Sequence, residues 1–166
     1  AVQVIAVDVR PDRLDIARRI GADATIDASR TEPVQEILRL TGGRGADRVV
    51  EVVGHAAPSL AAEQPVAQAM KMVRSGGRVV VLGQGPDPYP VFWKPFVWKE
   101  AEIVTSRVTL GEFPRAIAMM ERRLLHPGLV VTHELPLESA SEAYRIAADP
   151  AARAVKILIE VSDRSE

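Results

Sequence analysis

Residues 2–7 read VQVIAV and run straight into Asp8. A nearly all-apolar run rich in β-branched side chains predicts a strand buried on both faces, the mark of a parallel sheet. Asp8 ends the run. Pro11 and Asp12 then open a helix with Leu14, Ala17 and Ile20 on one stripe, and Gly21 stands where a C-terminal cap belongs. The alternation continues with a short strand over 24–27. A helix holding Val34, Ile37 and Leu38 follows, with Ser29 or Thr31 to cap it and Gly42 to close it. Residues 49–53 form the next strand, ending in Gly54. Pro65 opens a helix that turns Ala69, Met72 and Val73 inward and stops at Gly76 and Gly77. Residues 79–82 form a buried strand ending in Gly83, and 103–108 a further one. Beyond residue 108 the pattern loosens into a helical stripe (Phe113, Ile117, Met120, Leu124), a short extended piece at 129–131, a helix over 141–148 and a strand over 155–161. Strands alternating with helices at this spacing predict an α/β fold with a mainly parallel sheet.

Composition excludes several classes of function. The chain has 166 residues, 47% of them apolar and 26% charged, with a formal net charge of -1. No basic excess points to nucleic acid, and no polybasic block to a membrane surface. Apolar runs are strand-sized, too short for a membrane-spanning helix. No charged-then-apolar leader opens the chain, and the expected compartment is the cytoplasm. With no cysteine, disulfides and cysteine-ligated metals are excluded. His55, His126 and His133 are widely spaced, so no three-ligand zinc site is expected here. Asp12 and Asp15 read as a solvated helix face, and no GxSxG nucleophile elbow occurs. No catalytic residue is assigned.

Asp8 carries the most chemistry. At the carboxyl end of the second strand of a doubly wound, Rossmann-like sheet, an acidic residue accepts hydrogen bonds from the adenosine ribose hydroxyls and repels a 2′-phosphate, favouring NAD over NADP. The alternative is a turn residue or helix cap before Pro11. The glycine-rich phosphate loop belongs about 20 residues earlier, and only seven residues precede Asp8. Gly83-Gln84-Gly85 follows a later strand and leads into a proline-rich loop, so it reads as a strand-end turn.

Five segments in order, VDVRPDRLDIARRIGAD, TGGRGADRVVEVVG, RSGGRVVVLG, FPRAIAMM and LVVTHELPLESASEAY, resemble the medium-chain dehydrogenase/reductase superfamily, and within it the zinc-type alcohol and polyol dehydrogenases. The resemblance covers roughly residues 2–161 and corresponds to the later half of such an enzyme. It implies a partial NAD-binding domain over 1–108, incomplete at its N-terminus, and a C-terminal portion over 109–166 that would rejoin an absent catalytic domain. It assigns Asp8 and Arg13 to the adenosine ribose, Val53, Gly54 and His55 to the nicotinamide-side ribose, Leu82, Gly83 and Gln84 to the nicotinamide amide, and Thr105 and Arg107 to the segment closing over the ring. Gly54 and Gly83 equally suit tight turns, Arg107 a surface ion pair and His55 an ordinary loop. The resemblance implies an alcohol substrate, and a catalytic zinc and proton relay supplied by the domain that is absent.

Strand one would sit between strands two and four in the order 3-2-1-4-5-6. Without it, residues 2–7 and 49–53 would each expose unpaired backbone groups and apolar side chains along an interior edge, at about 1–3 kcal/mol for each buried unpaired group. A longer polypeptide, closure of the gap, or a strand from another chain would each resolve this, and the first is favoured as the origin. NAD binding by the isolated chain is expected to be weak or absent. Residues 89–98 (YPVFWKPFVW) hold five of the seven aromatic residues and read either as an interface, which favours a homo-oligomer, or as a short helix packed on the sheet. Competing readings are a non-catalytic oligomeric remnant and a Rossmann-like methyltransferase.

Overall fold

A computed structural model describes residues 3–54, 64–85, 91–106 and 109–161. In chain order its elements are β1 (Ile5–Asp8), α1 (Pro11–Arg19), β2 (Ala24–Asp27), α2 (Pro33–Leu40), β3 (Ala46–Glu51), α3 (Pro65–Met72), β4 (Val73–Val81), α4 (Lys94–Trp98), β5 (Glu102–Thr105), α5 (Phe113–Glu121), β6 (Val131–Pro136), α6 (Ala140–Ala148) and β7 (Lys156–Glu160). Every strand pairing among the described residues is parallel, as the alternation predicts: β1 with β2, β3 with β4 and β4 with β5, and β6 with β7. The chain divides into two compact units, one of Ala1–Ser29 with Gly111–Glu166 and one of Arg30–Leu110. No helix among the described residues is long and apolar enough to cross a membrane.

In the first unit, α1 starts on Pro11 and buries Leu14. Gly21, at φ +108°, then takes the left-handed conformation that ends the helix. β1 departs from expectation. Val4, Val7 and Val9 are exposed, so this strand is not buried on both faces. Its only strand partner among the described residues is β2. The stripe of Phe113, Ile117, Met120 and Leu124 is likewise exposed.

The second unit holds a compact core in which Ala69, Met70, Val73, Val79 and Phe96 pack with Val49, Val81, Val91, Ala101 and Ile103. Phe96 comes from the short helix α4 and seats it on this core. That is the packed-helix reading of residues 89–98, although Phe92, Trp93, Val97 and Trp98 remain exposed. The cap of α2 is Glu32, not Ser29 or Thr31. Its longer carboxylate reaches back to accept the amides of Val34 (3.3 Å) and Gln35 (2.8 Å). Helix α3 ends at Met72, because Val73 already pairs with Ala46 as the first residue of β4. Gly76 and Gly77 therefore do not stop a helix. They lie where the β3–β4 register shifts, and Gly76 has φ +63°.

Candidate functional site

The register aligns three strand ends. Glu51 pairs with Val81, and Val81 with Thr105, so β3, β4 and β5 finish side by side at one carboxyl edge. Ligands of open parallel sheets bind at such edges. The Glu51 carbonyl accepts the amides of Leu82 (2.8 Å) and Gly83 (3.2 Å). Its Oε1 accepts those of Val53 (2.7 Å) and Gly54 (2.8 Å). This explains why β3 ends at Glu51 and not at Val53 as the sequence suggests. The glutamate side chain takes the next amides, and Val52 and Val53 leave the sheet with their side chains exposed.

The turns at 52–54 and 82–84 meet backbone to backbone. Gly54 has φ +77°, and a Cβ there would lie 2.3 Å from the Gln84 carbonyl oxygen. A Cβ on Gly83 would lie 2.0 Å from the Gly54 nitrogen and 2.6 Å from Glu51 Oε2. Glycine is required at both positions by close approach. Glu51 itself is 5% exposed, and no donor among the described residues reaches its buried Oε2. An unsatisfied buried acceptor costs about 1–3 kcal/mol, more when charged. The sequence reading missed Glu51. The available signal was one acidic residue inside the otherwise apolar run VVEVVG.

Asp8 and Arg13 form a second group, in the first unit. Asp8 Oδ1 accepts the Arg10 amide at 2.9 Å, which is the turn role weighed from the sequence. Its Oδ2 lies 3.9 Å from Arg13 Nη1 and accepts no hydrogen bond among the described residues. Beside it, the Arg10 guanidinium grips the Asp12 carboxylate at 2.7 and 3.2 Å. That hydrogen bond holds the Asp12 carboxyl below the usual carboxylate range. Thus Val53, Gly54, Leu82, Gly83, Gln84 and Thr105 share one edge, while Asp8 and Arg13 share a strand-end turn. His55 and Arg107 lie outside the described residues, as do Tyr89 and Pro90. Among the described residues no three His, Asp or Glu side chains are grouped to hold a metal ion.

Residues 1–122 match the family model described as "Zinc-binding dehydrogenase". The chain belongs to the zinc-binding dehydrogenase family. It is 32% identical to the L-threonine 3-dehydrogenase of Bacillus velezensis, over 87% of this chain and 40% of that protein. It is 33% identical to the erythritol/L-threitol dehydrogenase of Mycolicibacterium smegmatis, over 82% of this chain and 36% of that protein. The structure of the alcohol dehydrogenase TADH from Thermus sp. ATN1 superposes with a TM-score of 0.82 at 30% identity, covering 98% of this chain and 44% of that one. The fold is therefore Rossmann-like, and the chain spans less than half the length of these relatives. Family membership sets the methyltransferase reading aside.

Proposed function

We infer that this chain is the cofactor-binding portion of an NAD-dependent alcohol or polyol dehydrogenase acting in the cytoplasm on a small alcohol. Residues 1–108 bind NAD and 109–166 rejoin a catalytic domain. The observation that carries the reading is the aligned carboxyl edge, with its two glycine turns, in a chain of this family. Asp8 Oδ2, with no hydrogen bond among the described residues, suits a ribose hydroxyl, and Arg13 flanks it. Val53, Gly54 and His55 would lie along the nicotinamide-side ribose. Leu82, Gly83 and Gln84 would offer backbone to the carboxamide, and Thr105 and Arg107 would cover the ring. Bound NAD supplies the hydride acceptor. The sequence contains no GxGxxG loop for the pyrophosphate. The zinc of the wider family finds no grouped ligands among the described residues, and no step is assigned to it.

Two measurements test this. NAD titrated into the ¹⁵N-labelled chain should shift the amides of Asp8, Gly54, Gly83 and Gln84, with a Kd of about 1 mM or weaker, equivalent to roughly −4 kcal/mol. NADP should bind more weakly, because Asp8 repels its 2′-phosphate. NAD shifts confined to amides away from Asp8 and the two turns would sink the cofactor reading. Micromolar affinity would sink the inferred dependence on a phosphate loop.

The oligomeric reading draws on the aromatic patch. Phe92 and Trp98 are each 75% exposed, and Lys94 Nζ lies 4.9 Å over the Trp98 ring. Exposed apolar patches of this kind mark interfaces. Trp93→Ser with Trp98→Ser should convert a self-associated species to monomer in sedimentation velocity. A folded double variant that sediments like the native chain would remove the interface.

A further inference from the structure

The Glu51 carboxylate accepts amides two and three residues ahead, those of Val53 and Gly54. Glu32 uses the same pattern to cap α2. Glu32 is followed at once by a helix. Glu51 is followed by Gly54 in the left-handed region, at φ +77°. The capping pattern is therefore applied to a turn. Through its carbonyl the same residue also holds Leu82 and Gly83, so one residue binds backbone amides of both turns. Its second carboxylate oxygen, buried and without a donor among the described residues, lies against Gly83, where a Cβ would approach to 2.6 Å. One oxygen thus serves the turn of β3 while the other faces the turn of β4.

We propose that Glu51 is a positioning residue that locks the turns at 52–54 and 82–84 together and thereby sets the backbone presented to the nicotinamide end of the cofactor. The proposal rests on the cofactor reading of those turns. It predicts that the acceptor oxygen matters more than the charge, because Gln keeps an oxygen able to take the Val53 and Gly54 amides, whereas Ala keeps none.

Amide hydrogen exchange and NAD titration of the ¹⁵N-labelled full chain test it in the native, Glu51→Ala and Glu51→Gln forms. In Glu51→Ala the Val53, Gly54 and Gly83 amides should exchange about tenfold faster while Val79 in the core is unchanged, and Glu51→Gln should stay within about threefold of native. NAD should lose its shifts at Gly83 and Gln84 in Glu51→Ala but keep those at Asp8, and Glu51→Gln should restore both. General destabilisation would weaken all the shifts alike. Unchanged exchange in Glu51→Ala, or equal acceleration in both variants, overturns the lock. If Glu51→Ala does not fold, a folded Glu51→Gln with native exchange supports the proposal, and one that fails to fold or to protect these amides overturns it. Native NAD shifts confined to Asp8 would retract the cofactor reading of the turns, and the positioning role with it. The exchange result would distinguish that failure from failure of the lock.

Discussion

Gly83→Ala should destabilise the 30–110 unit by about 3 kcal/mol or more, at the upper end of overpacking costs. The added Cβ would lie 2.0 Å from the Gly54 nitrogen and 2.5 Å from its Cα. Both are backbone atoms, so no side-chain rotation relieves the clash. Separating the turns would stretch the bonds from the Leu82 and Gly83 amides to the Glu51 carbonyl. It would also displace Gly54, whose amide is held by Glu51 Oε1. A domain of ordinary stability has only about 5–15 kcal/mol to lose. Trp93 and Trp98 both lie in this unit, so urea unfolding followed by tryptophan fluorescence reports on it. The midpoint should fall by about 1–3 M. A Gly83→Ala variant within about 0.5 kcal/mol of native, the range of an ordinary surface substitution, would show that the turns are not in contact.

Local chemistry was legible in the sequence, and contacts between distant residues were not. The bounds of α1 follow from Pro11 at its start and Gly21 after its end, and β2 occupies 24–27 as read. These signals lie within a few residues of what they determine. The cap of α2 was misassigned because hydroxyl residues are the usual choice, while the longer Glu32 side chain does the work from one position further on. The end of β3 was misplaced because Val52 and Val53 have strand character, but Glu51 withdraws the Val53 amide from the ladder. The glycines at 76 and 77 suggest a helix running to residue 75, but α3 ends at Met72, since the pairing of Val73 with Ala46 is a contact 27 positions apart. At the candidate site, Gly54 and Gly83 were visible as strand-end glycines. Their approach to each other was not, because it depends on the register of two strands. Burial was legible only in part: the apolar run at 2–7 alone predicts a strand buried on both faces, but the missing first strand predicts uncovered apolar side chains there and at 49–53, and Val7 and Val50 are exposed on strands with a partner on only one edge among the described residues.

Lys99→Met should cost the same unit about 2–3 kcal/mol through loss of charged hydrogen bonds. The last carbonyls of a helix lack intrahelical donors, and α3 ends where β4 begins, with no intervening loop. Lys99, just past α4, fills that need. Its Nζ donates to the carbonyls of Met70 (3.1 Å), Lys71 (2.6 Å) and Val73 (2.7 Å). A cation there also meets the negative end of the helix dipole. The Gly76 amide returns a bond to the Lys99 carbonyl at 2.7 Å, so the lysine joins the end of α3, the start of β4 and the end of α4. Burial pushes the Lys99 pKa below the ordinary lysine value. Methionine keeps the length and apolar stem of the side chain but donates nothing. Met70 and Val73 are buried, which limits how readily water can replace the ammonium at their carbonyls. The urea midpoint should therefore fall with little change in slope, because the surface exposed on unfolding is nearly the same. Lys99→Arg, which keeps charge and donors, should recover part of the loss. A Lys99→Met variant within about 0.5 kcal/mol of native, the range of an ordinary surface substitution, would mean that water serves these carbonyls equally well and that the lysine is not what joins the three elements.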